Sequence, residues 1–312
     1  MKPLIFKPLL LAGIAIQPEN IHLVQLKKVR SGYLIERVRR YALPAAIFSE
    51  GKIIEFSALQ TALTAIVKEE SLHAMQAAVC VPSNQVKMQR IVVPRGLSAL
   101  DIEAEISTQV YRAMPAKADA LAIDFRTQAA EQADDVQVFF AAARKDYIQR
   151  FQACVEAAGL SVKMMDVDVF ALLRAVRFAL KDVLTDNEKL CSLYLGEDYA
   201  VMTAEHGNDL LFHQQWDGES VSRLAMTRMQ WVEWCCHTYQ HQEISSLAIG
   251  GRQDFIYQAV KMITACWSCK IYEPDPFLTM RGATNMDKAA LHDGPSAFLL
   301  ACGLAMREPL PW

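Results

Sequence analysis

Cys266-Trp267-Ser268-Cys269 has the two-residue gap of a redox dithiol. Such a pair works when its first thiol sits at a helix N-terminus, where the helix dipole lowers the pKa. Here the pair falls where a helix runs out into a strand, so buried structural cysteines are the preferred reading. Upstream, Cys235, Cys236, His237 and His241 are zinc-type ligands, and the two histidines, four apart, could share a helix face. With Cys266 and Cys269 a tetrahedral site is arithmetically possible, but the spacing fits no standard zinc module, and packed or solvated side chains are preferred. Trp231, Trp234 and Tyr239 lie on the same helical stretch and read as core. Asp166 and Asp168 would share a strand face as a carboxylate pair, yet Asp168 reads better as a helix N-cap. No Ser/His/Asp order suits a nucleophilic triad.

The composition narrows the field. The chain has 312 residues, 52% hydrophobic and 21% charged, which suits one large domain or two ordinary ones and excludes a disordered chain. Lys and Arg number 32 against 35 Asp and Glu, a formal net charge of -3, so there is no bulk basic field for nucleic acid. The apolar run Leu9 to Ile16 is far short of the roughly 20 residues that span a bilayer. Lys2 and Lys7 precede it in the manner of a signal peptide, but no small-residue cleavage site follows. The expectation is a cytoplasmic chain, and eight irregularly spaced cysteines agree with a reducing compartment.

The elements come in two similar runs. Leu9 to Lys27 reads as strand–turn–strand and Tyr33 to Tyr41 as a third strand. A helix follows over Ser57 to Lys68, with Leu59, Ala62, Leu63, Ile66 and Val67 on one face and Ser57 as N-cap. Ala77 to Val81 is a buried strand. Residues 85–160 then read as an insert: strand Gln89 to Val93, helix Ala99 to Met114 capped by Ser98, strands Ala120 to Arg126 and Val136 to Ala142 around the polar connector Gln128 to Asp135, and helix Lys145 to Ala158 closed by Gly159. Strand Val162 to Val167 and a long helix capped by Asp168 return to the first pattern. After the linker Thr185 to Lys189 the opening repeats: strands at 190–195, 199–204 and 210–215, with turns at Gly196-Glu197-Asp198 and Gly207-Asn208. A helix over 219–240, strand Ser246 to Ile249, a helix to Cys266, strand Lys270 to Tyr272 and a last helix Ser296 to Arg307 follow. Two halves that open alike suggest duplication, and with it the α/β actin-like, ribonuclease H-like architecture of two lobes.

Four stretches carry a resemblance to a known family: LAIDF at 121–125 followed by FFAAARKDYIQRF at 139–151, AGLSVKMMDVDVFAL at 158–172, LAIGG at 247–251 with EPDPF at 273–277, and AFLLACGLAMRE at 297–308. In order and spacing the chain resembles PilM, the actin-like protein of type IV pilus assembly, and its shorter relatives in pilus and DNA-uptake systems. The resemblance implies a two-lobed fold of the cell-division actin type. Lobe 1 would be residues 1–84 and 161–186, the insert 85–160 its extra subdomain, and lobe 2 residues 187–312 with most of its small subdomain missing. It implies a scaffold at the cytoplasmic face of the inner membrane, peripheral to it. The implied partner is a PilN-like membrane protein whose tail carries an Asn-Leu-Leu-Pro-Trp-like motif. Further implied contacts are the platform protein and motor ATPase, and self-association is compatible with the fold.

In that family ATP sits between the lobes, its phosphates clasped by two hairpins. The family's first hairpin reads acidic–apolar–Gly–small–Ser; here stand Ala15, Ile16, Gln17, Pro18 and Glu19, without the acid or the glycine. Its second reads Asp–apolar–Gly; here stand Tyr194, Leu195 and Gly196. Gly196, Gly250 and Gly251 therefore mark a vestigial nucleotide site, and the expectation is a pseudo-ATPase with no bound cofactor, the alternative being an ATP-binding switch or ATPase that takes its acid from Glu19 or Asp198. The resemblance places the partner-tail groove in lobe 1 near the insert, which points to Arg90, Val92, Val93 and Pro94. The end Pro309-Leu310-Pro311-Trp312 is similar to the tail motif and reads as a frayed terminus or as an occupant of a neighbouring copy's groove.

Overall fold

A computed structural model describes residues 10–30, 32–49, 51–73, 75–113, 120–129, 135–185, 188–196, 199–207, 209–217, 244, 246–282, 286 and 290–308. The basic start Met1 to Lys7, Glu197, Asp198 and Asn208, the stretch 219–240 with Trp231, Trp234, Cys235, Cys236, His237 and Tyr239, His241, the side chain of Cys266, the middles of the connectors 128–135 and 185–189, and the tail Pro309 to Trp312 lie outside the described residues.

The first sheet is built from β1 (Leu10–Ile16), β2 (Asn20–Val29), β3 (Gly32–Ala42), β6 (Gln76–Val81) and β10 (Ser161–Val167), in the order β10-β6-β1-β2-β3. The meander β1–β2–β3 is antiparallel, while β6 and β10 run parallel to β1. The second sheet repeats this plan with β11 (Lys189–Leu195), β12 (Tyr199–His206), β13 (Asp209–Asp217), β14 (Ser246–Gly251) and β15 (Lys270–Tyr272), in the order β13-β12-β11-β14-β15. Strand for strand the two orders and directions coincide, so the duplication expected from the sequence is a fact of topology. The meanders form because their apolar residues pack on both faces; in β2 all of Asn20 to Leu26 is buried.

After β3 comes a short hairpin of β4 (Phe48–Ser49) and β5 (Lys52–Ile53), and helices α1 (Phe56–Glu69), α3 (Lys145–Ala157) and α4 (Asp168–Ala179) cover the first sheet. Between β6 and α3 the chain adds β7 (Val86–Pro94), α2 (Ala99–Ala113), β8 (Leu121–Ala129) and β9 (Asp135–Arg144), a three-stranded antiparallel sheet in the order β7-β9-β8 with α2 on one face. Its own core is Val93, Ile102, Ile106, Val110, Leu121, Val138, Phe140 and Ala142. Ser98 caps α2 as expected: the Asp101 N–H donates to Ser98 Oγ (3.3 Å) and the Ser98 N–H returns to Asp101 Oδ2 (3.2 Å), a capping box. Ser57 does not cap α1; it sits inside the helix, and Glu55 holds the N-cap place. Helix α3, read from the sequence with the insert, buries Phe151, Cys154 and Val155 in the lobe 1 core instead.

The chain's last described helices also differ from a simple two-part division. Helix α5 (Gln253–Cys266) packs in lobe 2 through Ile256 and Ile263. Helix α6 (Leu299–Ala305) crosses back and is wholly buried in the lobe 1 core between β1 and α4. Two glycines permit this approach. A Cβ on Gly13 would lie 2.0 Å from Ala301 O, and one on Gly303 would lie 1.9 Å from Ala171 O. A second crossing runs along β3, where the Ile35 N–H donates to Arg281 O (2.8 Å) and the Arg281 N–H to Tyr33 O (3.1 Å). Among the described residues, no helix is long and apolar enough to cross a membrane.

Candidate functional site

Among the described residues, two places on this frame could hold a ligand. The first is the junction of the lobes, where the β1–β2 and β11–β12 turns meet the end of β14. The β1–β2 turn is closed by the Gln17 N–H donating to Asn20 O (2.8 Å), the β11–β12 turn by the Gly196 N–H donating to Tyr199 O (2.7 Å). The structure brings Gly196, Gly250 and Gly251 together, since Gly250 pairs with Tyr194 and Gly251 with Leu195. Their closest neighbours are the chain's own atoms. Gly251 takes φ +114, and a Cβ there would lie 2.0 Å from Leu195 O; one on Gly250 would meet Leu299 Cδ1 at 2.3 Å; one on Gly196 would meet Glu19 Oε1 at 3.0 Å.

Side chains fill the space between these turns. Tyr194, buried, donates its hydroxyl to Ala297 O (2.7 Å) and lies 3.3 Å from Gln17 Oε1 across the lobe boundary. Asp168, at the first position of α4, accepts the Ser83 N–H (3.1 Å) and the Val169 N–H (2.7 Å), and the Tyr199 hydroxyl of lobe 2. Val167, not Asp168, holds the N-cap place, so the expected cap is instead a buried anchor between lobes. Burial pushes the Asp168 carboxyl up to about 6, against the pull of the Tyr199 and Ser83 hydrogen bonds. Ser83 Oγ in turn donates to Gln215 Oε1 (3.0 Å) on β13. Among the described residues these side chains leave a cavity of about 10 Å³ lined by Gln17, Pro18, Cys80, Asp168 and Tyr199 among others, about the space of one water molecule.

The carboxylate pair dissolves. Asp166 points away from Asp168, to Arg174 (2.8 Å) and Arg307 (3.7 Å). Cys266 is the last residue of α5, whereas a redox dithiol places its first cysteine at a helix N-terminus. Among the described residues no group of three or more His, Cys, Asp or Glu could hold a metal.

The second place is a groove of about 440 Å³ between the insert and lobe 1. One wall is β8, from which five consecutive residues, Ala122 to Arg126, line the space; opposite are Met165, Asp166 and Val167 of β10. A strand seen from its face offers every second residue, so consecutive lining residues mean that each strand presents its edge. Both are terminal strands, β8 paired with β9 and β10 with β6. The floor is apolar: Phe139, Ala141, Ile148 and Phe170, with Phe139 edge-on to Phe170 at 6.0 Å between centroids. Arg90, Val92, Val93 and Pro94 are on β7, the far edge of the insert sheet, and none of the four lines this groove. Arg90 instead ties the insert to lobe 2, 3.0 Å from Asp209. Val93 is 2% exposed inside the insert core, while Val92 is 64% exposed. The sequence did not mark this pocket as a groove, although the LAIDF stretch that carries the family resemblance forms one of its walls.

His22 on β2 adds a titratable group near the junction. It is buried against Phe298 (ring centroids 4.6 Å), and neither ring nitrogen has a hydrogen-bond partner among the described residues. Burial, helped by Arg40 and opposed by Asp293, lowers its pKa to about 3. A lowered histidine contributes stability that is present above the unfolded pKa near 6.5 and is lost as pH falls toward the folded value. From about pH 7.5 to about pH 5 that loss is about 2 kcal/mol, because only the unfolded imidazole takes up a proton. Glu205, pushed up to about 7 by burial despite Arg177, and Asp168 run the opposite way, gaining over the same range. The His22→Leu variant isolates the histidine. In urea melts at the two pH values its stability should rise by about 2 kcal/mol relative to wild type on acidification. Parallel pH profiles would contradict this assignment.

The duplicated five-stranded sheets, the junction of turns between them and the inserted subdomain define a two-lobed protein of the actin-like fold. A family model described as type IV pilus assembly protein PilM matches residues 13–215, and the chain belongs to that family. The structure of a PilM-PilN type IV pilus biogenesis complex is similar to it with a TM-score of 0.79 at 16% identity, over 96% of this chain and 98% of that one. A protein from Bacteroides thetaiotaomicron with actin-like ATPase fold and unknown function is similar with a TM-score of 0.53 at 10% identity, over 98% and 100% of the two chains.

Proposed function

We propose that this chain is a scaffold of type IV pilus assembly that holds the tail of a PilN-like inner-membrane protein in the groove between β8 and β10, and that it does so without a nucleotide. The observation that carries the reading is the pair of unpaired strand edges facing each other across an apolar floor. An extended tail laid there finds ladder donors and acceptors on both sides and pockets for alternate apolar side chains. Family membership and the likeness to a PilM-PilN complex support the choice of partner. The partner's tail would hold the scaffold at the cytoplasmic face of the inner membrane, with outer surfaces of both lobes left for the platform protein and motor ATPase.

The nucleotide-free part of the reading is supported by what fills the described part of the junction. Small-molecule sites take roughly 300–1,000 Å³, and the cavity between Gln17, Asp168 and Tyr199 holds about 10 Å³. Opening it would separate Tyr194 from Ala297, Tyr199 from Asp168 and Ser83 from Gln215. The test is to titrate a fluorescent peptide copying the partner's N-terminal tail, with and without Mg-ATP. Saturable binding of equal strength in both is expected, and millimolar Mg-ATP should leave Tm unchanged. A ligand at about 100 times its Kd would add ~2.7 kcal/mol of stability, so a clear rise in Tm, or binding that requires ATP, would restore the switch reading.

A further inference from the structure

We propose that the groove carries a cation subsite at Asp124, so that the docked segment is an extended apolar stretch with one Lys or Arg set against β8. The inference rests on the tail-docking reading above and adds the chemistry of what docks. Along β8, Leu121, Ile123 and Phe125 pack with the insert core under α2. Ala122, Asp124 and Arg126 therefore project from the other face. There Asp124 stands opposite Ala141, and Arg126 opposite Phe139.

Four ionisable residues line the groove: Asp124, Arg126, Asp166 and Arg307. Three are engaged. Arg126 lies over the Phe139 ring (5.6 Å to the centroid) and reaches Asp209 of lobe 2 at 3.4 Å. Asp166 is met by Arg174 and Arg307. Asp124 alone of the four has neither a hydrogen bond nor an ion pair among the described residues, and it is exposed. An occupant covering the apolar floor takes water away from this carboxylate, which then needs a partner. A neutral occupant leaves it uncompensated, an acidic one repels it, and a cationic side chain satisfies it. Arg126 two residues along the same face adds register. A segment slipped by two residues would bring its cation to the guanidinium instead of the carboxylate.

The experiment uses the whole chain and a labelled synthetic peptide copying the partner's N-terminal tail, with each basic residue in turn changed to Glu. Asp124→Lys should weaken the natural peptide about tenfold at low salt, and one of the Glu-substituted peptides should recover on Asp124→Lys what it lost on wild type. Asp124→Asn should fall between, and its binding should depend less on salt than that of wild type. The side chain is exposed and unbonded, so Tm should not move in either variant. If Asp124→Lys binds the natural peptide within twofold of wild type, the cation subsite is wrong and tail docking stands. If wild type binds no tail peptide at any salt, the docking reading falls and takes the subsite with it.

Discussion

Gly303→Ala lowers the unfolding free energy by about 3 kcal/mol or more, at or above the top of the usual range for overpacking, and Gly13→Val does the same or prevents folding. The added Cβ at Gly303 would sit 1.9 Å from Ala171 O, and the one at Gly13 would sit 2.0 Å from Ala301 O and 2.5 Å from Ala305 N. These neighbours are backbone atoms of α4 and α6, so no rotamer change relieves the clash. One helix must move, and α6 is held on both sides at once, by β1 and by α4. Arg174 also donates to Gly303 O (2.6 Å), so shifting α6 strains that contact with the rest. Urea denaturation of the two variants reads the effect directly. Midpoints equal to wild type would mean that the close approach of α6 is not present in solution.

On the docking reading, Ala141→Trp raises the Kd for the tail peptide about 100-fold, a loss of about 2.7 kcal/mol. Ala141 is half-buried on β9, in the row Met88–Ala141–Asp124 on the groove side of the insert sheet. An indole there fills the floor that the tail must cover, while the insert core on the opposite face is untouched. Ala141 also packs against the lobe 1 core, so the variant's melt is recorded first to establish that it is folded, and the decisive comparison is with Val92→Asp on β7. That variant changes an exposed position on the far edge of the same sheet and should leave the affinity unaltered. The reverse pattern, with Val92→Asp weakening binding and Ala141→Trp neutral, would move the tail to β7 and away from the groove.

The contrast between those variants shows where the sequence was legible. Local features could be read because local rules produce them: apolar runs broken at a turn set the β1–β2 hairpin, Ser98 begins α2, and Gly159 with φ +101 ends α3. The repeat of one strand plan in two halves was legible for the same reason. Strand order within the insert was not, because nothing local states that β9 rather than β7 lies in the middle. That single non-local fact sets Arg90–Pro94 apart from the open groove lined by Ala122–Arg126. Asp168 is similar. Its position before an apolar helix has an N-cap's signature, and its actual role depends on Ser83 and Tyr199, 85 and 31 residues away. That a tyrosine stands at 194 could be read from residue type alone. That the tyrosine also occupies the junction and bonds Ala297 is a matter of packing, and no spacing rule contains it.

The return of α6 to the first lobe has a bearing on how the protein is made. Domains of a growing chain generally fold in order of synthesis, N-terminal first. Here the N-terminal lobe lacks its central helix until residues 299–305 have been translated and have cleared the ribosome. Until then β1 and α4 expose the apolar surfaces that α6 later covers, while all of the second sheet is being made. The lobe whose strands emerge first is thus completed only after the strands of the second lobe have been made, and for that interval it presents an apolar surface of the kind a chaperone covers.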